Sequence, residues 1–197
     1  MDFSLSEEQK QVQDLINQFI AKDYPFDVRE KLVKSEDGFS KEFWKTFGEF
    51  GLLAMPFPED DGGFNGGPVD LMVILEAFGT GLVVEPYIPN VVLSGNLISK
   101  LGNKEQKDEI LPKLFSGELQ MSFAFTEPQS RFDLNDVTTS AKLEGDNYIV
   151  DGYKAVVMNG PSSEKIIVTC RTSGSQLDDC LLYTSDAADE RSSVDLG

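Results

Sequence analysis

Near Gly117 the apolar residues of this chain stop recurring every three or four positions and begin to alternate. Residues three to four apart share a helix face, and residues two apart share a strand face, so the change of period divides the fold in two. Before Gly117 the pattern predicts five helices. Ser6-Glu7-Glu8-Gln9 is a capping box, in which the Ser hydroxyl accepts from the Gln9 amide and the Gln side chain returns the bond. Val12, Leu15, Ile16, Phe19 and Ile20 follow as one stripe, which Tyr24-Pro25 ends. Ser40 caps a second helix carrying Phe43, Trp44, Phe47 and Phe50, with Gly51 at its exit. Met55 to Pro68 is too rich in glycine for regular structure and predicts an ordered loop. Pro68 fits the first turn of a third helix with Leu71, Ile74, Leu75 and Phe78 facing inward. A fourth is expected from about Asn90 to Leu101. Asn103-Lys104-Glu105-Gln106 is a second capping box, opening a fifth helix with Ile110, Leu111 and Leu114.

After Gly117, Phe123 and Phe125 alternate with small residues. Tyr148-Ile149-Val150 follows a Gly145-Asp146 turn, and Lys154 to Val157 and Lys165 to Cys170 are further β-prone runs. The expected fold is α+β, an all-α domain over residues 1–117 followed by part of an antiparallel, barrel-like β domain over 118–179.

From Cys180 the chain reads CLLYTSDAADERSSVDLG, without periodicity or turn logic. Back-translated in one frame, Cys180 to Glu190 fit a transposon-end adapter used in short-read DNA sequencing. Ser193 to Gly197 fit the flow-cell adapter that follows such an end. Residues 180–197 are therefore expected to be an adapter-derived, non-native tail, set aside from fold reasoning.

The net charge is −17, of which that tail contributes only three units. So acidic a chain repels nucleic-acid phosphates and anionic membrane surfaces, and no basic stripe offsets this. No apolar run approaches the ~20 residues that span a bilayer, and Met1-Asp2-Phe3 opens no signal peptide. Cys170 is the only cysteine before the tail, which precludes an intrachain disulfide there and points to the cytoplasm. With no histidine in the chain, histidine triads and histidine-liganded metals are excluded within it. Gly62-Gly63 and Gly66-Gly67 lack the Gly-Lys-Ser/Thr of a phosphate loop, and Glu59, Asp60 and Asp61 are expected to be a solvated acidic loop rather than metal ligands.

The run Phe123 to Gly160, with its Thr126-Glu127-Pro128 loop, Gly145-Asp146 hairpin and Gly152-Tyr153-Lys154 strand, resembles the middle domain of the acyl-CoA dehydrogenase family. The resemblance extends back to Met1. It implies a longer protein, with more β strands and a C-terminal helical bundle missing here, that binds FAD and oxidises an acyl-CoA thioester. In that reaction a glutamate removes the α-proton, the β-hydride passes to the flavin, and electrons leave through electron-transfer flavoprotein. The glutamate belongs to the bundle, so no catalytic residue is assigned here. Glu127 is expected to fix its loop by hydrogen bonds.

By the resemblance, Phe123, Phe125 and Thr126 line the flavin, although the two Phe fit a core equally well. Flavin sites combine backbone amides and hydroxyls at the ring edge with apolar surface against its face. Where the family usually carries Ala-Gly-Ser-Asp, this chain has Ser130-Arg131-Phe132-Asp133, and Val156 and Met158 stand where a ring-stacking Trp and a hydrogen-bonding Thr are usual. Phe132, Val156 and Met158 thus count as cofactor-side positions. Arg131 is either a ligand for a phosphate or substrate carboxylate or a solvated loop cation. These variants, with Met1-Asp2-Phe3-Ser4-Leu5 and Glu76-Ala77-Phe78-Gly79, are similar to one subgroup, the small subunits of pimeloyl-CoA dehydrogenase. That subgroup implies a dicarboxylyl-CoA substrate and a homo- or hetero-oligomer with a large subunit, in which this subunit is either catalytic or a non-catalytic partner.

Overall fold

The computed structural model describes residues 4–178 and the backbone of 182–185. Among them the first half is helical: α1 (Glu7–Asp23), α2 (Phe26–Val33), α3 (Lys41–Glu49), α4 (Pro68–Gly81), a π-helical segment (Ile88–Gly95) running into α5 (Asn96–Leu101), and α6 (Lys104–Phe115). Both capping boxes form. Gln9 N donates to Ser6 Oγ at 3.1 Å and Ser6 N to Gln9 Oε1 at 3.0 Å, and Asn103 and Gln106 repeat the exchange. Ser40 Oγ caps α3 from Phe43 N at 3.1 Å, and Gly51 leaves it at φ +75°.

Apolar burial explains why these helices assemble. Phe47 stacks on Phe78 at 4.9 Å between centroids and meets Phe19 edge-on at 5.3 Å. Trp44, Leu52, Leu53, Ile74 and Leu114 are fully buried around them. Such aromatic pairs add to the area they bury.

The helical reading needs three corrections. α2 was not expected: its N-cap is Pro25, which offers no side-chain cap, and none of its residues is buried, so the usual sequence signals are absent. The fourth helix is π-helical over its first half, where Ser94 Oγ reaches back five residues to Pro89 O at 2.7 Å. Asp61 is not a solvated loop acid. Ser99 donates to it at 2.5 Å and Lys107 pairs with it at 3.1 Å, which ties the glycine-rich loop to α5 and α6.

The β half departs further from expectation. β1 (Met121–Ala124) lies parallel to β4 (Lys165–Cys170), with Met121 opposite Lys165 and Phe123 opposite Ile167. β4 pairs antiparallel with β5 (Leu182–Ser185). β2 (Ser140–Glu144) and β3 (Asn147–Asp151) form a separate antiparallel hairpin closed at Gly145-Asp146. The barrel-like antiparallel expectation is thus replaced by a mixed three-stranded sheet and a two-stranded one. A parallel pair requires a long crossover, and the hairpin occupies it. Lys154 to Val157 is not a strand either, and Val156 takes φ +55° there, outside any ladder. β5 lies within the tail expected to be adapter-derived, and a strand there counts against that expectation, although an open strand edge pairs through its backbone with extended chain of any origin.

The halves are joined by a buried polar knot. Asn90 donates to Gln120 Oε1 at 2.9 Å and accepts from Met121 N at 2.6 Å, so the π-helical segment holds the start of β1.

Candidate functional site

β1 runs into Thr126-Glu127-Pro128, and the glutamate organises the loop beyond it. Glu127 is 1% exposed. Its Oε1 accepts from Thr139 N (3.0 Å), Thr139 Oγ1 (2.6 Å) and Lys154 Nζ (2.7 Å). Its Oε2 accepts from Gln129 Nε2 (2.8 Å), Thr138 N (2.8 Å) and Thr138 Oγ1 (2.5 Å). Burial works to raise its pKa, but the bonds from Lys154, Thr138, Thr139 and Gln129 outweigh it and hold the carboxyl well below the usual range. The carboxylate is a loop fastener, as expected, and has no free lone pair with which to act as a base.

Lys154 bridges from Glu127 to Thr169 Oγ1 on β4 at 2.9 Å, and its side chain is 7% exposed. Gly152 explains the Gly-x-Lys spacing: a Cβ there would stand 2.5 Å from Thr139 Cα, so only glycine lets this segment pass the residue that binds Glu127. A second clamp is Arg171, just past β4. Its guanidinium donates to the carbonyls of Val137, Asn135, Gln176 and Asp178 at 2.6–3.0 Å, fixing the far end of the 129–139 loop.

Sequence reasoning gave Lys154 and Arg171 no role. The available signal was a lone cation within, or closing, a β-prone run. Such a cation on an otherwise apolar strand needs a buried acceptor.

The structure brings five of the expected cofactor-side residues onto two adjacent segments. Ala155 N donates to Thr126 O at 2.9 Å, and Asn159 Nδ2 reaches Met121 O at 3.4 Å, so residues 155–159 run antiparallel alongside β1. Phe123 and Phe125 stack on each other at 4.9 Å and are each half-buried. Val156 (81% exposed) and Met158 (44%) lie on the neighbouring segment. Thr126 is half-buried at the join, and among the described residues nothing hydrogen-bonds its side chain.

Phe132 and Arg131 stand apart, on the exposed loop after Ser130. Phe132 is 97% exposed, and Arg131 is exposed at φ +48°, unpaired with any described residue. A left-handed conformation at a non-glycine residue persists only where its surroundings enforce it. Here the enforcement comes from both flanks, the Glu127–Ser130 hydrogen bonds and the Arg171 clamp.

The donors present fit a flavin in outline: a spare hydroxyl at the end of a strand, a stacked aromatic pair, and exposed apolar side chains alongside. The usual stacking indole and second hydroxyl are replaced by Val156 and Met158, so the fit rests on fewer polar contacts. Among the described residues no group of acidic and cysteine side chains could hold a metal ion, and no helix is long and apolar enough to cross a membrane.

Comparison with known proteins bears on the family and the fold. The profile of the acyl-CoA dehydrogenase N-terminal domain matches residues 6–118, and that of the acyl-CoA dehydrogenase middle domain matches 122–190. The second match runs into the segment expected to be adapter-derived. Mitochondrial isovaleryl-CoA dehydrogenase of Bos taurus is 31% identical over 170 residues, covering 85% of this chain and 40% of its own length. A steroid acyl-CoA dehydrogenase, the Tcur3481-Tcur3483 G363A variant, superposes with a TM-score of 0.81 at 26% identity, over 94% of this chain and 49% of that one. The FAD complex of PigA superposes at 0.77 with 25% identity, over 89% of this chain and 46% of that one. The chain thus spans less than half the length of each of these relatives.

Proposed function

The chain belongs to the acyl-CoA dehydrogenase family of flavin-dependent oxidoreductases, and from that premise we propose that it is the N-terminal and middle part of an FAD-dependent enzyme that oxidises an acyl-CoA thioester between Cα and Cβ. The observation that carries this reading is the strip made by Phe123, Phe125, Thr126, Val156 and Met158, with the Thr126 hydroxyl unspent. FAD, when bound, supplies the acceptor for the hydride leaving Cβ. Thr126 offers the ring a hydrogen bond, and the Phe pair, Val156 and Met158 exclude water from one side. No residue of this chain is given the α-proton; by family resemblance that base is a glutamate of the helical bundle. Purified full-length protein, co-expressed with its large subunit, is expected to be yellow, and Thr126→Val to weaken flavin retention. A yellow complex indifferent to Thr126→Val and to changes at Phe123 places the flavin in the partner.

Arg131 carries the substrate part of the proposal. Fixed on a clamped loop in a strongly acidic chain, it suits a carboxylate or phosphate held bidentately, which a lysine does not copy. A dicarboxylyl-CoA such as pimeloyl-CoA, with electron-transfer flavoprotein as electron acceptor, fits that cation and the subgroup resemblance. Arg131→Lys is then expected to raise KM about tenfold. An equal loss on plain and dicarboxylyl substrates assigns Arg131 to a CoA or flavin phosphate instead, and no loss on either leaves it a solvated loop cation.

A second reading is a non-catalytic partner subunit of a heteromeric dehydrogenase in the cytoplasm. Val156 and Met158 in place of stacking and hydrogen-bonding residues favour it, as does the similarity to the Tcur3481-Tcur3483 pair. A glutamate at the expected position of the full-length bundle decides for the enzyme, its absence for the partner. The in-frame adapter match supports residues 180–197 as non-native, while the strand β5 and the middle-domain match through residue 190 count against it. A genomic sequence that continues through Cys180 with the same codons ends that view.

A further inference from the structure

We infer that the buried Lys154–Glu127 pair is the positioning unit of the flavin strip, setting where Thr126 and residues 155–158 stand relative to each other without itself touching a ligand. The inference rests on the flavin reading above.

Residues 155–158 belong to no strand ladder. One backbone bond, Ala155 N to Thr126 O, holds them to the loop. Beyond that, Asn159 holds their far end to Gln120 and Met121, and Lys154 fixes their near end by reaching Glu127 at 2.7 Å and Thr169 on β4 at 2.9 Å. It thereby ties the segment to two elements at once. Both side chains of the pair are buried, at 7% and 0% exposure.

A buried pair of this kind adds little net stability over well-packed apolar residues of the same shape, since the ions lose their hydration. What it does impose is direction. An ammonium with two fixed acceptors can occupy one place, where a methionine of similar length could slide. Glu127 keeps its five other hydrogen bonds if Lys154 is replaced, so the 126–139 loop stays folded while residues 155–158 lose the side-chain tether at their near end. The damage should therefore fall on cofactor geometry more than on the fold.

The test uses the full-length protein and reads FAD affinity by titration, the visible flavin spectrum and the melting temperature. Lys154→Met is expected to raise the Kd for FAD about tenfold or more and to shift the flavin band, and Lys154→Arg, which keeps a cation, to recover most of both. The double variant Lys154→Met/Glu127→Gln leaves no lone buried charge. It is expected to bind FAD weakly and to melt below the wild type, because an amide nitrogen at position 127 faces backbone donors that the carboxylate accepts from. If Lys154→Met does not fold, Lys154→Gln, which leaves Glu127 and its loop bonds in place, carries the test.

Wild-type FAD affinity and spectrum in Lys154→Met, or their full recovery in the double variant, overturns the positioning role and leaves the flavin reading standing. A wild-type full-length protein that holds no FAD overturns both.

Discussion

In the helical half Glu85 is 5% exposed and takes hydrogen bonds from Tyr24 OH at 2.8 Å and Ser40 N at 3.2 Å, with no ion pair to any described residue. In the β half Glu127 is equally hidden but carries six donated bonds, one of them from a buried lysine. Burial pushes the Glu85 carboxyl up, whereas hydrogen bonds overcome burial and pull the Glu127 carboxyl down. The helical half carries an unpaired carboxyl on hydrogen bonds alone, because its stability comes from a continuous apolar core. The β half buries few large apolar side chains, and its hairpin leaves Leu143, Tyr148, Ile149 and Val150 exposed, so it relies on polar fasteners. Burial makes one half; the other is made by hydrogen bonds around two buried cations.

The largest test of that contrast is Phe47→Ala, which removes the ring between Phe19 and Phe78 in the full-length protein. It is expected to cost about 4 kcal/mol. Urea unfolding followed by hydrogen exchange in α1, α3 and α4 reads the helical half directly. A loss below 1 kcal/mol would mean that apolar burial is not what holds this half.

Glu127→Gln should cost about 3 kcal/mol, because it strands the buried Lys154 charge. It should also change the acid response. The folded pKa of Glu127 is depressed, so its contribution is complete above the unfolded value of ~4.3 and is lost as pH falls from there through the folded value. The variant's stability should therefore decline less steeply than the wild type's below that pH. Glu85 has the opposite sign: its raised folded pKa makes its contribution greatest at low pH, lost as pH rises through the folded value. Parallel pH curves for wild type and Glu127→Gln would break the comparison.

Gly152→Ala is next, at about 2 kcal/mol, since the added methyl meets Thr139 backbone that cannot yield without leaving Glu127. Hydrogen exchange should show protection lost at Thr138 and Thr139 and kept in α1 and α4. The smallest effect belongs to Glu85→Gln, expected within ~1 kcal/mol at neutral pH, because losing one accepted hydrogen bond is offset by losing a buried charge. A drop of several kcal/mol would show that Glu85 has a compensating cation after all.

Features made by neighbours in sequence were legible: both capping boxes, the Ser40 cap, the Gly51 exit and the Gly145-Asp146 turn each lie within a few residues of one another. α2 was not, because it has neither a side-chain cap nor a buried face. The parallel pairing was illegible for a different reason. A β-prone run states that a strand will form and says nothing about which partner, 44 positions away, will take it, as Lys165 does for Met121. At the candidate site, Glu127 announced its structural part through its Thr-Glu-Pro setting. The cation that meets it sits 27 positions later, and Thr169 lies 15 beyond that. Local pattern carries none of that geometry, nor the left-handed turns at Arg131 and Val156.

The parallel pairing of β1 and β4 also dictates an order of events during synthesis. β1 leaves the ribosome with no strand to join, while the β2–β3 hairpin, whose partners are a two-residue turn apart, can close as soon as it emerges. Non-local pairings are slow to form, and an unpaired nascent strand is open to wrong partners in the interval. The contacts of β1 with the helical half, the Asn90–Met121 bond and the burial of Met121 in the helical core, do not involve β4. They are available to keep the place of the strand before its partner is made, and translation pausing or chaperone capture between residues 125 and 165 would act at that stage of folding.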